Sequence, residues 1–311
     1  MKHKLTLPMF FLAFFIVIAC SLGAVSAANN INDVKIDDEN TNIVHWDDYI
    51  QDSTILNTVI DTDYTEITES KPYSTSIVGS SIKNLFAHSQ CTHFHTGSHG
   101  DGVGLRNSEV NNVVAESYDT YIITADNWCG GNFPNGIVED SSVTNVVSNS
   151  HSTVICTAQN EREDLIGVKT TKCEILNTVD SSTNTTIFQG EIKTMDDSNI
   201  TNTISDSQDT LIIQDDIHNS QITNTIVNSR NNRIYQGFET GYLTQPLTNC
   251  NLNNLTLFCE NTTLNQWNLT GVNGVFIAIG CNNYTKTIEN LTDTNFFNLT
   301  IGNLEIFNFH W

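Results

Sequence analysis

Residues 198–207 read SNITNTISDS, and residues 220–229, 22 positions further on, read SQITNTIVNS. With Asn202 and Asn224 as anchors, the same neighbourhood aligns without gaps at Asn57, Asn84, Asn112, Asn145, Asn177 and Asn254, giving eight copies of a 17-residue core. Two residues before the anchor stand Ile55, Ile82, Val110, Val143, Ile175, Ile200, Ile222 and Leu252. Two after it stand Val59, Phe86, Val114, Val147, Val179, Ile204, Ile226 and, as the exception, Thr256. Apolar residues at period two on either side of the anchor define a β-strand with one buried face. A second alternating segment follows, with Thr65, Thr92, Thr120, Thr153, Thr185, Thr210, Asn232 and Thr262 eight past the anchors. Ten past them come Ile67, Phe94, Ile122, Ile155, Ile187, Ile212, Ile234 and Leu264. Between the two strands a small hydroxyl position, Thr62, Ser89, Ser117, Ser150, Ser182, Ser207, Ser229 and finally Cys259, reads as a corner.

Strand, corner, strand and a variable return, repeated at a shortest period of 22 residues, describe one coil of a solenoid. The expected class is all-β, a right-handed parallel β-helix of about eight to ten coils stacked ~4.8 Å apart. In it the anchor asparagines form an internal ladder at a buried corner, each side-chain amide donating to the next. Propellers and sandwiches need hairpin turns and blade-length periods, which the sequence lacks. The expected organisation is a leader over residues 1–27, an N-terminal cap over 28–52, repeats over 53–266, and terminal coils with a cap over 267–311.

The leader has the order of a secretory signal peptide. Met1-Lys2-His3-Lys4 is followed by an apolar run to Leu22 and by Ala24-Val25-Ser26-Ala27-Ala28, with cleavage placed after Ala27. Two competing readings are an uncleaved membrane anchor and a lipoprotein box at Val17-Ile18-Ala19-Cys20. All three export the rest of the chain, to a secreted or cell-surface location, with the membrane touched only through this segment. The chain carries 13 Lys and Arg against 35 Asp and Glu. Such a charge repels phosphate backbones, which excludes nucleic acid as an expected partner, and attracts cations, Ca2+ first among them.

The S-x-I-x-N-T-I coils, the leader ending in Ala24-Val25-Ser26-Ala27-Ala28 and the acidic, Asn- and Thr-rich composition resemble the exported adhesin-like proteins of methanogenic archaea, which carry pectate-lyase-type right-handed parallel β-helices. The resemblance covers roughly residues 53–266 and is specific for fold. It implies an adhesin-like function, in which the lateral face of the helix binds carbohydrate or another cell's surface. The alternatives are a polysaccharide lyase or glycoside hydrolase on the same fold, and a structural surface-layer component.

Three long return segments, residues 97–107, 125–140 and 158–172, fall in neighbouring coils and are expected to form a lateral ridge. The stretch HSQCTHFHTGSHGDG, residues 88–102, places His93 and His95 on one strand face, with Glu66 beside His93 in the adjacent coil; together with His99 and Asp101 these are candidate ligands for zinc or another transition metal. The competing reading is an exposed, His-rich polar strand. Candidate catalytic groups are Asp209, Asp215 and Asp216 in one coil with Arg230 and Arg233 in the next. Gln214-Asp215-Asp216 and His99-Gly100 resemble fragments of the polygalacturonase pattern, in the wrong order and without its Asn-Thr-Asp and Arg-Ile-Lys elements.

Seven cysteines follow Cys20, so at least one has no partner within the chain. Cys173 and Cys250 share a column with Ser53, Ser80, Ser108, Ser141, Ser198 and Ser220, and Cys259 lies in the corner column. They read as small, weakly polar fillers, and Cys129 as a loop residue. Asn-x-Ser/Thr sequons occur at Asn184, Asn199, Asn254, Asn261, Asn268, Asn283, Asn290 and Asn298, candidate glycosylation sites concentrated where the repeat decays. The closing residues 296–311, FFNLTIGNLEIFNFHW, keep strand-like alternation and read as a cap or an aromatic edge.

Overall fold

The computed structural model describes residues 29–37, 41–45, 49–69, 76–96, 104–124, 137–157, 169–190, 194–237, 239–240, 243–244, 246–302 and 308–310. The leader, Cys20, His99, Asp101, Cys129 and the greater part of the three long returns lie outside them. Among the described residues no helix is long and apolar enough to cross a membrane.

The chain winds as a right-handed parallel β-helix with three faces. The first face is a twelve-stranded sheet whose strands run from Asn29–Ile36 and Ser53–Ile60 through Asn199–Ser205 and Gln221–Val227 to Asn295–Ile301. A last strand, Asn308–His310, pairs antiparallel to it. The second face stacks strands such as Tyr118–Thr124, His151–Thr157, Thr183–Gln189 and Leu211–Gln214. The third stacks short ones such as Gly104–Arg106, Ile137–Glu139 and Lys169–Thr171. Every anchor sits opposite the next, Asn57 on Asn84, Asn112 on Asn145, Asn202 on Asn224. Like residues lie on like residues because a register slip of one would turn the whole apolar set outward.

Inside, the β-branched columns flanking the anchors are buried along the solenoid, each side chain contributing about 1.5–3 kcal/mol. The asparagine ladder is continuous: Asn57 Nδ2 donates to Asn84 Oδ1 at 2.8 Å, and the pattern repeats through Asn112, Asn145, Asn177, Asn202 and Asn224 to Asn254 at 2.8–2.9 Å. One expectation is corrected here. The ladder runs through the middle of the first sheet, between buried Ile and Val columns, and not at a corner.

The corners have their own chemistry. Among the described residues 28 non-glycine residues have positive φ, and 21 of them are Asn or Asp, including Asp61, Asn149, Asp206 and Asn228 immediately after first-sheet strands. These side chains tolerate the left-handed conformation best after glycine, so much of the Asn- and Asp-rich composition is a requirement of turning. Beside each such residue lies a hydroxyl column. Ser117 Oγ donates to the Ala115 carbonyl at 2.9 Å and accepts from the Ser89 N–H in the coil before it at 3.3 Å. Cysteine fills the same role, Cys173 Sγ lying 3.2 Å from the Thr171 carbonyl.

The solenoid also continues where the sequence repeat fades. Asn273–Ile279 stacks in register on Asn251–Leu257, with Phe276 in the asparagine column. Its ring packs on Phe296 of the following coil at 5.1 Å, and a Cβ on Gly274 would meet both rings at 2.5–2.7 Å.

Candidate binding face

The second sheet is built from strands whose inward positions are fixed and whose outward ones vary. Inward, Thr120, Ile122 and Thr124 are fully buried, as are Thr185, Ile187 and Gln189. From Gln189 onward the position twelve past each anchor becomes a second amide ladder. Gln214 Nε2 donates to Gln189 Oε1, Gln236 Nε2 to Gln214 Oε1 and Gln266 Nε2 to Gln236 Oε1, at 2.7–2.8 Å. It is cross-bonded to the asparagine ladder, with Asn202 Nδ2 on Gln189 Oε1 at 2.9 Å and Asn224 Nδ2 on Gln214 Oε1 at 2.9 Å. This doubled network fixes the strand against the first sheet, so the outward side chains stand on a rigid support.

Outward, six consecutive coils each present a large apolar side chain: Tyr121, Val154, Phe188, Ile213, Tyr235 and Trp267, all at least partly exposed. Tyr121 is 40% exposed, and the Tyr235 and Trp267 rings lie 6.0 Å apart at 33°. At ~4.8 Å per coil the stripe runs roughly 24 Å along the solenoid axis. Polar neighbours on the same face include Thr186, Arg233 and Asn265. The stripe escapes sequence reading because its residues shift between positions nine, eleven and thirteen past the anchor.

The long returns leave from the same edge. Strands Gln90–Thr96, Tyr118–Thr124 and His151–Thr157 are stacked neighbours, and so are the strands that receive the chain, Gly104–Arg106, Ile137–Glu139 and Lys169–Thr171. The roots of the expected ridge are therefore side by side, next to Tyr121 and Val154.

The candidate catalytic residues do not form one cluster. Leu211 pairs with Arg233, so Asp215 and Asp216 lie at the far end of that strand, roughly 13 Å along it at ~3.3 Å per residue. Asp216 Oδ1 lies 3.2 Å from His218 Nε2. Asp209 sits at the near corner, where its Oδ1 accepts from Asn231 Nδ2 at 2.9 Å and its N–H donates to the Arg230 carbonyl at 3.0 Å. Asp209 thus shares one corner with Arg230 and Arg233, while Asp215 and Asp216 lie at another.

In the His-rich stretch, Glu66 pairs in register with His93 and Thr68 with His95. His88 occupies a corner with positive φ, its Nδ1 3.4 Å from Glu116 Oε2 of the next coil. Among the described residues no cluster of three or more His, Cys, Asp or Glu is arranged to hold a metal ion.

The sequons follow the corners too. Asn184, Asn261, Asn268, Asn283 and Asn290 all have positive φ, and Asn261 and Asn283 continue an outer ladder from Asn231 at 2.9–3.0 Å. Asn199 is exposed on the first sheet, and Asn298 accepts from Lys286 Nζ. Asn254 is buried, accepting from Asn224 and donating to Gln236 Oε1 at 3.0 Å, so a glycan there would cost both ladder contacts.

Burial pushes the thiols of Cys173 and Cys250 up to about 11. Only the thiolate reacts, so at pH 8 alkylation of these two in the folded protein is expected to run roughly a hundredfold slower than that of an ordinary exposed thiol. Iodoacetamide labelling followed by peptide mapping checks this; labelling of both at the denatured rate would contradict their buried placement.

No protein family's sequence profile matches the chain, and no curated protein does. Among solved structures it is similar to the A-module of the Azotobacter vinelandii mannuronan C-5 epimerase AlgE6, at 7% identity over 90% of this chain and 92% of that one, with a TM-score of 0.22. The class of the protein follows from its own strand register and ladders: a right-handed parallel β-helix.

Proposed function

We propose that the protein is an exported, adhesin-like β-helix, secreted or displayed at the cell surface, that binds an extended polysaccharide along the outer face of its second sheet. The observation that carries this reading is the stripe from Tyr121 to Trp267, one apolar side chain per coil on six successive coils. Pyranose rings present C–H faces to aromatic rings and hydroxyls to the polar groups between them, and a rigid row of such rings binds at small entropic cost. The separation of Asp215 and Asp216 from Arg233 leaves that cluster without the proximity acid–base catalysis needs, which favours binding over turnover for these residues. Export rests on the leader.

The test is retention of purified protein on a panel of plant, microbial-wall and host polysaccharides, with released oligosaccharide measured in parallel. Retention on at least one class is expected. The double substitution Tyr235→Ala with Trp267→Ala is expected to weaken it by about tenfold or more, at ~0.5–1.5 kcal/mol per ring, with the circular dichroism unchanged. Equal retention of the double variant would refute the stripe. New chain ends in solution would replace binding with catalysis.

A further inference from the structure

We propose that Cys259 and Cys281 form a reversible disulfide that staples two adjacent coils near the C-terminal end of the solenoid. The two residues occupy the corner hydroxyl column one coil apart. Leu257 pairs with Ile279, the Phe258 N–H donates to the Ile279 carbonyl at 2.8 Å, and the Asn282 N–H donates to the Cys259 carbonyl at 2.8 Å. Backbone bonds on both sides of the pair thus hold one cysteine directly over the other. Coil spacing of ~4.8 Å lies inside the roughly 4.4–6.8 Å Cα separation a disulfide spans.

The side chains occupy stacked positions of one buried column. Both are buried, at 2% and 5% exposure, and Cys281 Sγ lies 3.4 Å from the carbonyl of Thr256, in the coil that carries Cys259. The influence of each thiol on the other lowers Cys281 and raises Cys259, so Cys281 is taken as the attacking group. Cys173 and Cys250 have no such neighbour: Cys173 lies between Ser141 and Ser198, and Cys250 between Ser220 and Val272. Of the buried cysteines Cys156, Cys173, Cys250, Cys259 and Cys281, the last two alone share a column in consecutive coils.

The chemistry is thiol–disulfide exchange with a small-molecule disulfide such as oxidised glutathione. The Cys281 thiolate attacks one glutathione sulfur and displaces the other as thiolate. Cys259 then attacks the Cys281 sulfur of the mixed disulfide, forming the new S–S bond and releasing the second glutathione. Two protein thiols are oxidised, one disulfide is reduced, and the two protons pass to the two glutathiones.

The full-length protein, refolded in a reduced and oxidised glutathione buffer, provides the test. The expected result is a peptide pair joining residues 259 and 281 on non-reducing mass mapping, two hydrogen masses lighter than the separate peptides and split by dithiothreitol. Cys173 and Cys250 should remain alkylatable after denaturation. Serine is the native residue of this column in six other coils, so Cys259→Ser and Cys281→Ser are expected to fold. Under oxidising conditions each should melt roughly 5–10 °C below the unsubstituted protein, and the gap should close under reduction. Recovery of both thiols free, or of glutathione on either without the cross-link, would overturn the proposal. So would equal melting of the serine variants and the parent in oxidising buffer.

Discussion

Asn202→Ala is expected to lower the unfolding free energy by about 3–5 kcal/mol, and Asn145→Ala by about 2 kcal/mol, although the two residues occupy the same column. Asn202 makes four hydrogen bonds. It accepts from Asn177 Nδ2 at 2.8 Å and from Gln189 Nε2 at 3.2 Å, and donates to Asn224 Oδ1 at 2.8 Å and Gln189 Oε1 at 2.9 Å. Asn145 makes two, with Asn112 and Asn177. All these groups are buried, so each partner stranded by alanine pays the desolvation cost of an unmade bond. Gln214 partly compensates at position 202, since its Nε2 also reaches Gln189 Oε1 and, at 3.3 Å, Asn224 Oδ1. The Asn177 amide has no such substitute among these bonds. Equilibrium denaturation of the two variants side by side measures the difference. Equal losses would mean that the glutamine ladder adds nothing to the asparagine one.

That glutamine ladder marks the limit of what the sequence made legible. The asparagine column is visible because one residue type recurs in all eight aligned copies. The position twelve past the anchor begins with Glu69, Thr96, Thr124 and Thr157 and becomes Gln189, Gln214, Gln236 and Gln266 only in the second half. Four glutamines in frame are a readable signal once the column is drawn; a consensus over eight copies averages it away. The coil at Phe276 was hidden for a related reason. An aromatic pair there replaces the amide contact, and Gly274 makes the room.

The candidate sites were less legible than the fold because coil adjacency fixes one coordinate only. It states which residues share or neighbour a coil, and so links Asp215 with Arg233. It does not state that a strand's length separates them within the cross-section. The acidic composition was open to a similar confusion. Read as charge, it suggests cation binding; read by backbone angle, residues such as Asp61, Asp140, Asp197 and Asp206 are where the chain turns left-handed. The outward stripe was missed because it lies at exposed positions, and the constraint that makes a solenoid readable acts on buried ones.

The largest backbone effect is expected from Gly237→Ala, at about 4 kcal/mol or more, whereas Gly79→Ala is expected to cost only about 1–2 kcal/mol. Both glycines have positive φ, +71° and +61°, so the intrinsic penalty for a side chain in the left-handed region is common to the two. What differs is the atom the new methyl would meet. At Gly79 it is the Asp52 Oδ1, 2.6 Å away on an exposed side chain that can rotate aside. At Gly237 it is the backbone carbonyl oxygen of Trp267, 2.0 Å away, with the carbonyl carbon at 3.2 Å. That carbonyl belongs to Thr263–Thr270, whose register against Arg233–Gln236 is fixed by Ile234 on Leu264 and Gln236 on Gln266. Relief therefore requires the next coil to move as a unit, against the ladder bond from Gln266 to Gln236 at 2.7 Å. Displacing Thr263–Thr270 also displaces Trp267, so Gly237→Ala is expected to weaken polysaccharide retention along with stability, while Gly79→Ala leaves retention unchanged. Thermal melts and the retention assay on the two variants separate these effects. A Gly237→Ala protein as stable as the Gly79→Ala one would mean that adjacent coils slide past one another more freely than their in-register ladders allow.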